Sequence, residues 1–140
     1  YKDKTIKYMR IKQENPETLQ TCINVMAADK EKKMVCLGLC PLIDLIPHYT
    51  NSFYAFDCDL SGLVKSDVEK YFCFSEAVCF DTANRLIYEG VDRSKISIAE
   101  TEAVETIFKE IEEAETKNIY LITWLHTFEH MKKYIDKEGK

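Results

Sequence analysis

Three aspartates near the middle of the chain could form a small acid-base site. Asp44, Asp57 and Asp59 lie in or just after a loop that follows a short apolar run, Met34 to Leu39. Such a run without polar alternation is typical of a strand buried on both faces of a parallel sheet. Ligands of these sheets bind beyond the carboxyl ends of the strands, so the three carboxylates could orient an amine, a histidine or a metal ion. The alternative is that Asp57 caps a turn or helix and Asp44 is a solvated loop acid.

A second constellation is the H-x-x-E-H pattern formed by His126, Glu129 and His130. Two histidines four residues apart on a helix share one face and could hold zinc. The third ligand of such sites comes from well downstream, whereas only the ten residues 131–140 follow His130. We therefore expect a polar outer face of the last helix and predict no metal site.

The chain also lacks a convincing nucleophile and any phosphate-binding loop. Cys40 and His48 flank the same loop and could act as nucleophile and base, but a cysteine after an apolar strand usually packs as a small hydrophobe. The four glycines are scattered and form neither G-x-x-x-x-G-K-[ST] nor G-x-G-x-x-G. Phosphates need several converging N–H donors, so we predict no cofactor in this chain and no tight binding of ATP.

The composition limits the class of protein. The chain has 140 residues, 46% apolar and 31% charged, with a net charge of −5, which suits a single globular domain and disfavours nucleic acid as a partner. No apolar run is long enough to span a bilayer. Its six cysteines stand mostly among apolar neighbours, which indicates reduced thiols and a cytoplasmic location. The opening residues suggest a fragment of a longer chain.

Strand and helix patterns alternate from end to end. This alternation predicts one doubly wound α/β domain over residues 1–140, with a mostly parallel sheet and helices on both faces. The predicted strands are Thr5–Lys12 near an edge, Met34–Leu39, Lys70–Ser75, Lys95–Ile98 and Asn118–Thr123, and the predicted helices are Pro16–Ala28, Glu76–Glu89, one beginning at Thr101–Glu105, and Trp124–Lys137.

Two of the helices have a predicted buried face. In the first helix, Leu19, Cys22, Ile23 and Met26 fall at helical spacing. In the helix over Glu76–Glu89, the predicted inward residues are Val78, Ala83, Leu86 and Ile87, with Gly90 just beyond its end. The segment Phe53–Asp57 could be extended or could begin a short helix, and its periodicity does not separate the two.

Four segments occur in an order and spacing typical of one family. They are N-P-E-T-L-Q at Asn15–Gln20, the acids Asp44, Asp57 and Asp59, A-N-R-L-I-Y-E-G-V at Ala83–Val91, and Y-L-I-T-W-L-H-T at Tyr120–Thr127. The family patterns are N-P-x-x-x-N/Q, D-N-x-A-D-G-x-D-x-S-W-x-x-D-x-D, A-x-R-L-x-Y-x-G-V and an L-P-T-Y-T-like segment. From about Ile11 to Tyr134 the sequence therefore resembles the C-terminal domain of the Mur-ligase superfamily, of the type in MurT, the ligase-like subunit of lipid II isoglutaminyl synthase.

The resemblance implies a function for the full-length protein. It implies an ATP- and Mg²⁺-dependent ligase in peptidoglycan precursor synthesis, with further ligase domains upstream and a partner glutaminase that supplies ammonia. It also implies that an acid of this domain completes the Cys-His pair of the glutaminase. His48 and Asn51 stand where the family has acids, Tyr49 where it has Gly, Pro47 where it has Ala and Phe53 where it has Ser. Neither His48 nor Asn51 can serve as a permanent anion.

Two hypotheses follow. In the first, the chain is the C-terminal domain of an amide-forming ligase and presents an amine or ammonia to an acyl phosphate, with Asp44, Asp57 and Asp59 as catalytic residues. The candidate residues for binding the substrate or a partner are His48, Tyr49, Asn51 and Tyr54. In the second, the chain is an inactive module whose 40–59 loop recognises a protein or a small ligand through its aromatic residues, namely Tyr49, Phe53, Tyr54 and Phe56.

Overall fold

The computed structural model describes residues 1–11, 16–39, 54–76, 78–123 and 125–138. Two single-turn 3-10 helices cover Tyr54–Asp57 and Arg93–Lys95. The strands and α-helices are, in chain order, β1 (Thr5–Arg10), α1 (Pro16–Ala28), β2 (Lys33–Leu37), α2 (Ser61–Val64), β3 (Val68–Phe74), α3 (Cys79–Tyr88), β4 (Ile96–Ala99), α4 (Val104–Glu112), β5 (Asn118–Thr123) and α5 (Leu125–Glu138).

The five strands of the described residues form one parallel sheet in the order β1-β5-β2-β3-β4. β2 and β5 are interior strands, and every residue of both is buried. β1 and β4 lie at the two edges and are more exposed. The sheet confirms the predicted α/β class, including the central position of the apolar run and the edge position of the first strand.

Helices cover both faces of the sheet. On the first face, α1, α2 and α3 pack together, and Ile23 and Leu86 share an apolar cluster with Val35 of β2. On the second face, α4 and α5 pack together, and Phe108 shares a separate cluster with Phe72 of β3. This arrangement is the doubly wound architecture that the alternating pattern predicted.

Local sequence signals located most elements well. The predicted bounds of α1 and β5 are those observed, and the predicted buried residues of α1 are all buried. Gly90 follows α3 with a positive φ of 107°, while the N–H of Val91 donates to the carbonyl of Leu86, as expected for a glycine that ends a helix. The undecided segment Phe53–Asp57 is a 3-10 turn from Tyr54 onward, and α2 was not predicted.

The prediction was wrong for Ile87. It placed this side chain in the buried face of α3, but 41% of Ile87 is exposed, whereas Val78, Ala83 and Leu86 are buried. Successive helical residues are separated by about 100° around the axis, so Ile87 is turned about 100° from the buried Leu86 and lies beside the exposed Phe80. An apolar side chain on that side broke the pattern on which the prediction depended.

A network of polar groups closes the amino ends of the strands. The carboxylate of Asp29 accepts hydrogen bonds from Tyr120 Oη at 2.7 Å, Asn118 Nδ2 at 3.0 Å and Lys7 Nζ at 3.0 Å. Lys33 is fully buried beside it, and its Nζ donates to the carbonyl of Asp29 at 2.9 Å. Burial lowers the pKa of Lys33. These contacts join β1, β2 and β5 to the end of α1.

Gly38, directly after β2, occupies a position where a side chain does not fit. An added Cβ would overlap Cζ of Phe74 and lie 3.1 Å from Oγ1 of Thr123. Phe74 is fully buried, and its ring stacks on that of Phe72 at 5.3 Å between centroids, so the ring has little room to move. We expect Gly38→Ala to lower the free energy of unfolding by about 2 kcal/mol.

Chemical denaturation of the wild type and the variant measures this difference. Gly62→Ala is the matched control, because an added Cβ there meets its nearest heavy atom at 3.4 Å, an ordinary contact, and alanine favours a helix over glycine. Equal losses of stability at the two positions would contradict the steric explanation.

No helix of the described residues is long and apolar enough to cross a membrane. The longest, α5, has 14 residues, about 21 Å at the rise of an α-helix.

Candidate functional site

The carboxyl ends of β1, β5 and β2 lie side by side. We call this end of the sheet, where the parallel strands finish, the carboxyl edge. The chain continues from β2 toward α2 on the first face, and from β5 toward α5 on the second face. Connections that diverge from neighbouring parallel strands leave a crevice, which is where doubly wound sheets bind ligands. The loop with the three candidate acids begins at this edge, since it follows β2.

Asp57 and Asp59 lie together on a turn beside the first half of α1. The turn comprises residues 54–59, and both aspartates are exposed on it. Sγ of Cys58 lies 3.5 Å from the carbonyl oxygen of Pro16, the first residue of α1. The turn therefore presents two neighbouring carboxylates to solvent, as a site for a small cation or an amine requires.

Arg85 of α3 holds this turn from one side. Its Nε donates to the carbonyl of Ala55 at 3.3 Å and its Nη2 to the carbonyl of Cys58 at 2.8 Å. Its Nη1 pairs with the carboxylate of Glu89 at 2.7 Å. Arg85 is only 7% exposed, so two charge-assisted contacts from a rigid guanidinium fix the turn against α3, and the third, to Glu89 at the end of α3, orients the guanidinium.

Gln20 of α1 holds the same turn from the other side. Its Nε2 donates to the carbonyl of Asp59 at 3.0 Å, and its Oε1 accepts from the N–H of Asp59 at 2.7 Å. Gln20 and Arg85 belong to two of the four segments on which the family resemblance rests, although the sequence analysis assigned neither of them a role. Their shared role in the structure is to position the segment that bears the acids.

Asp59 has a capping role that the sequence analysis had considered for Asp57. Its Oδ1 accepts from the N–H of Ser61, the first residue of α2, at 2.9 Å. Hydrogen bonds from Ser61 lower the pKa of Asp59, so the carboxylate is an anion at neutral pH. Its exposure leaves it accessible to a cationic or N–H-bearing group.

The remaining candidates fall largely outside the described residues. Asp44, His48, Tyr49 and Asn51 lie there, and so does Phe53. Tyr54 begins the 3-10 turn. Of the seven predicted site residues, the structure therefore places Tyr54, Asp57 and Asp59 on one turn, and the functional role of all seven stays a prediction.

Two buried hydroxyls at the carboxyl edge were not singled out in the sequence. Thr123 ends β5, and Thr127 lies in the first turn of α5. They are 0% and 3% exposed, and the Oγ1 atom of each has no hydrogen-bond partner within the described part of the chain. An unsatisfied buried hydroxyl costs about 1–3 kcal/mol, so both groups could take a hydrogen bond from a ligand or a water molecule. The sequence feature that could have indicated these hydroxyls is a threonine on each side of the junction between β5 and α5.

Tyr8 of β1 lies beside Thr123. Its hydroxyl is 3.5 Å from the carbonyl oxygen of Thr123, and its ring stacks on that of Phe128 at 4.4 Å between centroids. Burial raises the pKa of Tyr8 to about 12, so the phenol stays protonated and can donate a hydrogen bond. The carboxyl edge thus holds neutral hydroxyls near β5.

The described cysteines do not offer a nucleophile. Cys22, Cys36, Cys58, Cys73 and Cys79 are free thiols, and each is buried. Burial raises the pKa of all five, that of Cys73 to about 12. A thiol that resists ionisation is a poor nucleophile, which agrees with the packing role predicted for cysteines in this sequence.

Comparison with known proteins identifies one family. The model for the family described as MurT ligase C-terminal matches residues 13–128. The matched segment contains the turn with Asp57 and Asp59 and both residues that hold it, Gln20 and Arg85. No curated protein matches the sequence.

Proposed function

This chain belongs to the family of MurT ligase C-terminal domains, and we propose that it forms the C-terminal domain of an ATP-dependent amide-forming ligase acting in peptidoglycan precursor amidation. The observation that carries the proposal is the turn with Asp57 and Asp59. Its two exposed carboxylates are fixed through backbone contacts to Gln20 and Arg85. Such preorganised charge is what a site needs to orient a small nitrogen nucleophile.

The proposed roles follow from the chemistry of amide formation. Ammonium first gives a proton to a base, because only ammonia has the free lone pair that can attack. The nitrogen then forms a bond to the acyl carbon, the bond from that carbon to the phosphate oxygen breaks, phosphate leaves, and the nitrogen loses a second proton. The lowered pKa of Asp59 suits this carboxylate to attracting and orienting ammonium more than to accepting a proton. Asp57, whose carboxylate is exposed on the same turn, is the candidate base, and Asp44 is retained as the third acid of the proposal.

The rest of the reaction belongs to other parts of the enzyme. The described residues contain no glycine-rich phosphate loop, so we assign ATP and Mg²⁺ to other domains and derive no step through them from this chain. A glutaminase-type subunit would supply the ammonia, and the reaction would take place in the cytoplasm.

Substitution of the acids in the full-length ligase tests the proposal. With ammonium as the nitrogen source, we expect Asp57→Asn and Asp59→Asn each to lower the amidation rate at least tenfold, about 1.4 kcal/mol of barrier. Asparagine can still cap α2, so thermal unfolding of both variants should follow that of the wild type.

Asp92→Asn is the matched control. Asp92 is also exposed, accepts from the N–H of Ser94 at 2.8 Å, and has a pKa lowered by hydrogen bonds from Ser94, but it lies outside the turn. If the three variants retain equal activity, the acids of the turn do not take part in amide formation.

A binding module is the second candidate function. The observation in its favour is the 58% exposure of Phe56, on the same turn as the acids. In that case the full-length protein would not form amides, and Tyr54→Ala would weaken partner or ligand binding more than Asp57→Asn. An active ligase with an acid-dependent rate excludes this reading.

A further inference from the structure

The outer side of α3 is apolar where a surface helix is normally polar. Three side chains on this side are largely exposed, namely Phe80 at 53%, Ile87 at 41% and Tyr88 at 86%. With the exposed Asn84 between them, they occupy one arc of the helix, because positions seven and eight residues apart are about two turns apart on the same side. We call these four residues the α3 face.

The α3 face differs from ordinary scattered exposure of apolar residues. Five large hydrophobic residues are exposed in the described chain, and three of them belong to this one helix of ten residues. The buried arc of α3 already packs on the sheet through Ala83 and Leu86, so the helix has a second apolar side. Clustered aromatic and aliphatic side chains of this kind are typical of protein interfaces.

Two exposed acidic residues lie close in sequence to the α3 face. Asp81 lies on the exposed side of α3, and Glu76 lies in the segment that leads into it. Arg85, four residues after Asp81 and three before Tyr88, is buried and holds the turn that carries Asp57. Arg85 is the sole cation of α3 and of the 54–59 turn, and its guanidinium is buried and paired.

These charges indicate what kind of surface could cover the α3 face. A second copy of the chain would bring Glu76 and Asp81 near another acidic surface, and like charges at an interface are unfavourable. A surface with an apolar centre and a rim of Lys and Arg would instead be complementary in both respects. Phe80, Ile87 and Tyr88 would fill its centre, as aromatic residues do at interface hot spots.

We propose that the α3 face is the docking surface for a separate protein subunit with an apolar centre and a basic rim. The inference rests on the proposed function in one respect, because it takes the glutaminase-type subunit as that partner. The inference adds the location of the docking surface, because the predicted partner-binding residues lie in the 40–59 loop and none of them is on α3.

The test uses the full-length ligase and the purified glutaminase-type subunit of the same organism. Binding is measured by calorimetry for the wild type and for Phe80→Ala, Tyr88→Ala and Asp81→Lys. We expect Phe80→Ala and Tyr88→Ala each to weaken binding at least tenfold, and Asp81→Lys to weaken it and reduce its dependence on salt. Val25→Ala is the matched control, because Val25 is 50% exposed on α1 and outside the α3 face.

Amidation assays separate docking from chemistry. The α3 variants should keep the wild-type rate with ammonium and lose amidation with glutamine at subsaturating concentrations of the glutaminase subunit. Their thermal unfolding should match that of the wild type, because all the changed side chains are exposed.

Each contrary outcome has a distinct meaning. Wild-type affinity in the α3 variants would overturn the docking surface and leave the proposed function intact. Absence of amidation by the wild-type ligase with ammonium would remove the proposed function, whatever the binding data show. Loss of self-association in the α3 variants would identify a second copy as the occupant, and protection of α3 from hydrogen exchange in the ligase alone would identify another domain of the same chain. Either result would overturn the inference.

Discussion

Replacing Arg85 with alanine is expected to lower the free energy of unfolding by about 3–5 kcal/mol and to release the turn that carries Asp57 and Asp59. The change leaves the carbonyls of Ala55 and Cys58 without their donors and the carboxylate of Glu89 without its cation. Removing one partner of a buried charged network costs this much because the groups left behind stay desolvated.

Chemical denaturation measures the loss of stability, and hydrogen exchange at residues 55–59 reports on the turn. Arg85→Lys should recover less than half of the loss, because one ammonium group cannot reproduce the three directions of the guanidinium donors. Arg93→Ala is the control, since Arg93 is exposed and donates to the single carbonyl of Ile96. If the amide hydrogens of residues 55–59 exchange no faster in Arg85→Ala than in the wild type, Arg85 does not hold the turn.

Replacing Asp29 with alanine is expected to lower the free energy of unfolding by about 3 kcal/mol. The change removes the acceptor of four hydrogen bonds, three from side chains of β1 and β5 and one from the N–H of Glu31 at 2.9 Å. Asn118 and Tyr120 would keep buried donors without a partner. Asp3→Ala is the control, because the ion pair of Asp3 with Lys117 is solvent-exposed, with a separation of 3.9 Å, and such pairs contribute little.

The same network makes stability depend on pH in a defined direction. Hydrogen bonds, the first of them from the N–H of Glu31, hold the pKa of Asp29 well below its ordinary value, which is about 3.9 in an unfolded chain. The stabilisation is therefore complete above about pH 4 and is lost as the pH falls further. Chemical denaturation between pH 6 and pH 2 should show that the free energy of unfolding falls more steeply with pH for the wild type than for Asp29→Ala. Parallel pH dependences of the two proteins would contradict this role of the Asp29 carboxylate.

Patterns within a few residues predicted most of the fold, whereas contacts distant in sequence decided the site. The bounds of α1 followed from Asn15, Pro16 and a regular apolar spacing. The roles of Gln20 and Arg85 depend on partners 27 to 39 residues away, which no local pattern reveals. The family motifs marked both positions as special without indicating the physical reason.

The error at Ile87 has a related cause. Periodicity assigns an apolar residue to the core because the core is the usual place where such residues are covered. It cannot distinguish that face from a second apolar surface on the same helix. The two unsatisfied threonine hydroxyls also escaped notice, since threonine is common in strands and only three-dimensional packing shows that Thr123 and Thr127 are buried.

The contacts that hold the 54–59 turn have a consequence for how this domain can evolve. Gln20 and Arg85 bind main-chain atoms of Ala55, Cys58 and Asp59, and main-chain atoms persist whatever side chains the turn carries. A mutation at an exposed position such as Phe56 or Asp57 can therefore alter the chemistry on display while the path of the backbone is retained. Substitutions at these exposed positions therefore do not require compensating changes in the backbone. Under the proposed function, domains that differ in nitrogen donor or partner subunit could arise from one ancestral domain through a few substitutions.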